Sequence, residues 1–204
     1  VDNTGSRALR SERKEIKGII SKQYKDYAKL DIFRIYEKYY RRNGIDFPLA
    51  SIYDDVISGK DIPTISPLVD AVLLAELKHC VLLDVKDADR IEGELTLDEG
   101  YEGEEFFDMQ NRRQFIIQGD IVLRDKKGIV LSWLYGPSGK AKVHRDTKRA
   151  IILALPVPGV EQKRLEQAMK DAIRYATMAC GGKASTIEFH HIKEPVVERA
   201  VVTE

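Results

Sequence analysis

Apolar residues in the first third of the chain recur with a helical period. From Ala8 to Lys29, Leu9, Ile16, Ile20, Tyr24 and Tyr27 form a narrow stripe among Lys, Arg and Glu, which predicts an amphipathic helix. Beyond Asp31, a residue type suited to an N-cap, Ile32, Ile35, Tyr36, Tyr39 and Tyr40 follow the i, i+3, i+4, i+7, i+8 spacing of a second helix, which Asn43-Gly44 stops. Arg34, Lys38, Arg41 and Arg42 run opposite that stripe. One reading is core on one face and water on the other. The alternative is Tyr and Arg interleaved to stack bases and bind phosphate. Ser51 opens a third predicted helix that ends at Ser58-Gly59. Ser66-Pro67 pairs a capping hydroxyl with a proline at the first helical position, and Leu68 to Cys80 is too apolar for a surface helix.

The period then changes. Glu94–Leu97, Phe115–Leu123, Ile129–Leu134 and Ala150–Leu155 read as strands, with Asp125-Lys126-Lys127-Gly128 as a hairpin turn. Glu161 to Ala179 returns to helix, with Leu165, Ala168, Met169, Ala172 and Ala176 on one face and Gly181-Gly182 at its end. Ser185 to Ile192 reads as a last strand and the chain from Lys193 as a loose tail. Helices, then strands, then a helix imply an α+β fold. The expected organisation is a helical extension over residues 1–30, a main domain over 31–180 and a terminal strand and tail over 181–204.

Composition narrows the function classes. The 204 residues carry 33 Lys and Arg against 33 Asp and Glu, so a histone-like or polybasic binder is excluded, though a local basic face is not. Residues 1–49 hold 12 basic and 7 acidic side chains, a local surplus of +5. No apolar run approaches the ~20 residues of a membrane span, and the charged N-terminal stretch lacks a signal-peptide core. Two cysteines, Cys80 and Cys180, make no disulfide framework. These features lead us to expect a reduced, cytoplasmic protein with no membrane contact.

Several motifs invite chemistry. Gly136-Pro137-Ser138-Gly139-Lys140 lacks the leading Gly and trailing Ser or Thr of a phosphate loop, leaving a mobile turn that carries Lys140 and Lys142. His79-Cys80 and His190-His191 are adjacent pairs without the spacing of zinc ligands, so neither metal nor cofactor is expected. With four histidines and no nucleophile elbow, a catalytic triad has no support. The six carboxylates within Asp98–Asp108 read as a solvated loop; the alternative is that the Gly of Gly103-Glu104 sets a turn that feeds the sheet. In His144-Arg145-Asp146-Thr147, a His and an Asp at a strand entrance suit water activation; the alternative is a turn in which Asp146 or Thr147 bonds backbone. Trp133, the single tryptophan, reads as a partly buried anchor or, in a cleft, a stacking platform.

An ordered set of residues resembles a known family. Ser51, Gly59-Lys60, Pro63, Ile65, Val69-Asp70, Asp87, Ile91, Gly93, Gly103-Glu104, Gly119-Asp120, Asp125, Gly128, Trp133 and Thr147 are similar to the pattern of the B3/B4 domain of the phenylalanyl-tRNA synthetase β subunit, in free-standing form. The stretch Lys60 to Asp70 carries most weight, followed by Asp87-Ala88-Asp89-Arg90-Ile91, and the likeness runs from about Ile35 to Met178. It implies a mixed or antiparallel sheet covered by helices. It also implies hydrolysis in trans of the ester of mischarged tRNA; the alternatives are a non-catalytic tRNA or RNA binder and a small-molecule-binding domain. The synthetase's own pocket residues are replaced: Asp84 stands where a His is expected, Val72 and Leu73 follow the Val-Asp pair, Trp133-Leu134 takes the place of an Ala-Gly turn, and Leu153 that of a Glu. What the resemblance then implies is a pocket edged by Asp84, Trp133, Tyr135 and His144, with Asp70 beside the substrate. Asp84 and His144 are the catalytic candidates. Arg41, Arg42, Lys140, Lys142 and Arg145 are the candidate RNA contacts.

Overall fold

A computed structural model describes the backbone of residues 7–191 and 196–203 and the side chains of residues 7–184. The fold is α+β. Contacts divide it into two units, one formed by the chain up to Asp84 and from Ile152 onward, the other by Val85–Ile151.

The first unit holds the helices. Helix α1 spans Arg10–Lys22 and buries Ile16 and Ile20. It stops earlier than the stripe predicts; a 3-10 turn over Tyr27–Lys29 follows, with Tyr27 seated against Phe33 and Tyr53 at centroid distances of 4.6 and 5.1 Å. Helix α2, Asp31–Arg41, buries Ile32, Phe33, Tyr36 and Tyr40. Leu30 is its N-cap, and Asp31 sits in the first turn, where a carboxylate complements the helix dipole. The core reading of its tyrosines is the one realised, because Tyr36 stacks on Phe47 at 5.0 Å and donates its hydroxyl to the Leu155 carbonyl at 3.0 Å. Helix α3 covers Ala50–Ile57, and Tyr53 within it is buried with its hydroxyl on the Leu77 carbonyl. Helix α4, Pro67–His79, starts as its sequence requires: Ser66 Oγ accepts from the Val69 amide and Pro67 follows it. Helix α5 spans Gln162–Cys180 and packs along α4. No helix among the described residues is long and apolar enough to cross a membrane.

Strands β1 (Leu83–Asp87) and β8 (Ala150–Ala154) carry the chain out of this unit and back into it. Their sheet has the order β1-β8-β10-β9, with β9 at Lys183–His191 and β10 at Val196–Thr203 running antiparallel. The loose tail expected from Lys193 is thus corrected: from Val196 the chain is strand.

The second unit is antiparallel. Strands β2 (Thr96–Glu99), β5 (Ile121–Asp125), β6 (Gly128–Ser132) and β7 (Gly136–Pro137) form one sheet in that order. Strands β3 (Glu105–Phe107) and β4 (Arg113–Phe115) make a separate hairpin. Phe106, Ile116, Val122 and Ile129 form its core, with Tyr135 packed alongside. Two expectations change here. The run Phe115–Leu123 is not one strand, because the chain turns at Gly119-Asp120, where Gly119 adopts φ +85°. The acidic stretch is not a solvated loop either: β2 ends in it, β3 lies within it, and Arg124 pairs with both Asp98 and Glu104.

Candidate functional site

The second unit displays its cations on a loop that is fastened at its base. The Asp87 amide donates to the Ala141 carbonyl at 3.0 Å and the Ala88 amide to the Arg149 carbonyl at 2.9 Å, closing the chain between them into a loop. Thr147 locks that loop. Its hydroxyl donates to Asp87 Oδ2 at 2.7 Å and accepts from the His144 amide at 2.9 Å, while the Thr147 amide donates to the His144 carbonyl at 3.2 Å. The turn reading of His144–Thr147 is therefore what the backbone adopts. Lys142, His144, Arg145 and Lys148 are left exposed. Among the described residues Lys142, Arg145 and Lys148 have no carboxylate within ion-pair distance.

A second buried carboxylate shapes the turn that carries Trp133 and Tyr135. Asp120 accepts from the Ser132 hydroxyl at 2.6 Å and from the Leu134 amide at 3.2 Å, and Ser132 Oγ accepts from the Tyr135 amide at 2.8 Å. Burial pushes the Asp120 carboxyl up to about 6, against those donors. Trp133 is buried, with its amide on the Ile121 carbonyl at 2.8 Å, and Tyr135 is half-buried. A third carboxylate, Asp125, accepts from the amides of Glu92 and Lys127 and pairs with Lys140. Although burial opposes it, these donors hold its carboxyl below the ordinary value.

Between hairpin and sheet lies a hollow of about 590 Å3, within the second unit. Phe106, Phe107, Asp108, Ile129, Gly139 and Lys142 are among its lining residues. Its far wall is not a mobile turn: the Ser138 amide donates to the Val130 carbonyl at 3.0 Å and the Gly139 amide to the Phe107 carbonyl at 3.2 Å. A Cβ on residue 139 would stand 3.2 Å from the Asp108 carbonyl oxygen, a tight contact. Asp108 accepts from the Gln110 and Arg112 amides and from the Arg112 and Gln114 side chains. Burial raises its pKa, but those donors outweigh it and hold the carboxyl at about 2, so Asp108 is a fixed anion and not a proton acceptor.

The other nominated residues belong to the first unit. Asp70 is fully buried with both oxygens engaged, Oδ1 by the Ile65 amide at 2.7 Å and Oδ2 by Arg13 at 3.0 Å. Arg13 also donates to the carbonyls of Ile62 and Pro63, so the 60–70 stretch is clamped onto α1. Both Asp70 oxygens thus hold the 60–70 stretch and α1 together. Asp84 follows Leu83, whose amide is accepted by Glu76; burial and the nearby Asp84 charge raise Glu76 to about 8. Arg41 is exposed and paired with Glu37 at 2.9 Å, and Arg42 is exposed. His79 bonds Asp171 at 2.8 Å, and burial pushes the Cys80 thiol up to about 11. Among the described residues no group of three His, Cys, Asp or Glu side chains is placed to hold a metal.

Chemically, the second unit offers a fixed cationic loop beside an aromatic-edged hollow, in an α+β fold with antiparallel sheets. The sequence matches the family described as the B3/4 domain over residues 49–181, about two thirds of the chain. The chain belongs to that family, as its resemblance to the synthetase domain implies. A comparison with curated proteins found no match. The geometry explains what the family pattern encodes here: Asp70, Asp87, Glu104, Asp120, Asp125 and Thr147 each fasten a loop or helix start.

Proposed function

We propose that this chain is a tRNA-binding module of the B3/4 type, with the second unit as its RNA-facing part. The observation behind this reading is the fastened loop that holds Lys142, Arg145 and Lys148 in the open without carboxylate partners. A backbone fixed before binding lowers the entropy lost when phosphates are engaged. Filter binding of uncharged tRNA across a salt series tests it. Neutralising three phosphates gives about 2–3 units of log–log slope, so a variant combining Lys142→Gln, Arg145→Gln and Lys148→Gln flattens the slope by that amount. A wild-type slope near zero overturns the proposal.

One observation favours a second reading, hydrolysis of the aminoacyl ester of mischarged tRNA in trans. His144 is exposed on that loop with its backbone held at both N–H and carbonyl. An aminoacyl ester is already activated, so one positioned base and a water suffice chemically. Incubation with a panel of mischarged tRNAs distinguishes the readings. Deacylation that Asp84→Ala leaves intact and His144→Ala abolishes supports hydrolysis by the loop; no deacylation above the background rate for any pair leaves the binding module.

A further inference from the structure

Five large apolar side chains stand out as strongly exposed among the described residues, and three of them, Tyr101, Phe107 and Phe115, lie within fifteen positions of each other in the second unit. Clustering of this kind marks a contact surface. The hairpin register explains it. Glu105 faces Phe115 and Phe107 faces Arg113, so these four side chains share one face, while Phe106 and Gln114 share the other. Phe106 fills the core, which sends its neighbour Phe107 outward. Phe107 and Phe115 are diagonal partners, ~7–8 Å apart by the geometry of antiparallel pairs. Both are 53% exposed. The Arg113 guanidinium lies 5.1 Å from the Phe115 ring centroid and that of Arg124 5.6 Å from the Tyr101 centroid.

We infer that this hairpin face is a stacking platform for single-stranded RNA, with bases on Phe107 and Phe115 and the backbone passing Lys142 at the rim of the hollow. The inference rests on the tRNA-binding reading and specifies where the unpaired nucleotides go. Charge selects the occupant. Glu105 is paired with Arg113, and Asp108 with Arg112 at 2.8 Å, so the acidic side chains at this edge are already neutralised. Lys142 is not, and neither are Arg145 and Lys148 on the loop that continues from it. A phosphodiester backbone supplies the missing negative charge. An apolar peptide covers the rings but leaves those cations without counter-charge. Aromatic rings accept any base face, so recognition here is tolerant of sequence.

The test is fluorescence anisotropy of the 204-residue chain with a labelled, uncharged single-stranded RNA 12-mer, repeated over a salt series and compared with intact tRNA. Base–aromatic stacking is worth ~1–3 kcal/mol per base, a change of roughly 5- to 150-fold. Phe107→Ala and Phe115→Ala should each weaken 12-mer binding within that range while leaving the salt slope unchanged. Lys142→Gln should instead lower the slope by ~0.7, the value for one phosphate of a single strand. Phe107→Trp should retain affinity and show quenched emission on RNA binding, because stacking needs a ring and not phenylalanine in particular. Both rings are on the surface, so the variants should keep the wild-type melting temperature. Unchanged 12-mer affinity in the double alanine variant, with tRNA still bound, overturns the platform and leaves the binding module standing. Absence of tRNA binding at low salt overturns both. Self-association in sedimentation that the double variant abolishes, without loss of RNA affinity, makes a second copy the occupant and refutes the inference.

Discussion

Replacing Thr147 by Val removes one hydroxyl and leaves the side-chain volume nearly unchanged, which isolates the lock on the cationic loop. In the native protein that hydroxyl donates to Asp87 Oδ2 at 2.7 Å. Asp87 is buried and keeps the Asp89 amide at 3.0 Å and Arg90 at 3.6 Å once the hydroxyl is gone. A hydrogen bond to a charged group contributes ~1.5–3 kcal/mol, and because Asp87 retains other donors the loss falls near the middle of that range. The His144 amide also loses its acceptor, but His144 is exposed and water replaces it at little cost. The expected loss is about 2 kcal/mol. Urea denaturation followed by circular dichroism measures it; at an ordinary slope the midpoint falls by ~1 M. Hydrogen exchange at His144 supplies a local reading, and it should accelerate because the loop opens without global unfolding. Affinity for tRNA should fall several-fold, since Arg145 and Lys148 must then be ordered on binding. A midpoint within ~0.2 M of wild type, with His144 exchange unaltered, refutes the claim that this hydroxyl fixes the loop.

Further expectations follow from the same buried groups. Asp120 has its folded pKa near 6 against an ordinary 3.8, so the native state binds the extra proton and stability falls as pH rises through that window. Asp120→Asn cannot ionise; paired urea titrations should therefore show the variant gaining on wild type by on the order of 3 kcal/mol between pH 4 and pH 7, and a pH-independent gap counts against the assignment. Gly139→Ala places a methyl 3.2 Å from the Asp108 carbonyl oxygen, so that neighbour has to give by a few tenths of an ångström. The expected loss is ~1–3 kcal/mol in the urea midpoint, with weaker binding of the RNA 12-mer; wild-type behaviour on both contradicts the close packing. In the first unit, Tyr36→Phe leaves the Leu155 carbonyl and the Leu82 amide without their shared hydroxyl, a loss of ~1–3 kcal/mol by thermal or urea unfolding.

The helical half of the fold was readable because its signals are local. Ser66-Pro67 caps α4 as those residue types do in any helix, and the apolar run behind it has to be buried. Strand β1 was missed because Leu83-Asp84-Val85-Lys86-Asp87 mixes charge into the run, and its Lys86 is buried. Strand β3 was hidden by the acidic residues around it; those carboxylates are neutralised by arginines from β4 and β5, distant partners that a one-dimensional pattern does not reveal. One signal for the aromatic face was present. Two adjacent phenylalanines in a strand point to opposite sides, so Phe106-Phe107 in a two-stranded hairpin sends one ring to solvent. The hollow itself was not legible, since segments 105–111, 127–129 and 138–142 meet only in the folded unit. The resemblance reached the family because its matching residues are the fasteners of the scaffold. For the same reason it carried little of the site chemistry: Asp70 and Asp125 are committed to structure, and Lys140 to Asp125.

The proposed RNA contact has two candidate basic surfaces, the end of α2 that bears Arg41 and its C-cap Arg42, and the loop and hairpin of the second unit. Hydrogen–deuterium exchange of the full chain with and without saturating tRNA at low salt separates them directly. Slowed exchange over residues 105–115 and 141–149, with 10–41 unchanged, is the outcome predicted here. Protection confined to 10–41, or none anywhere, contradicts it.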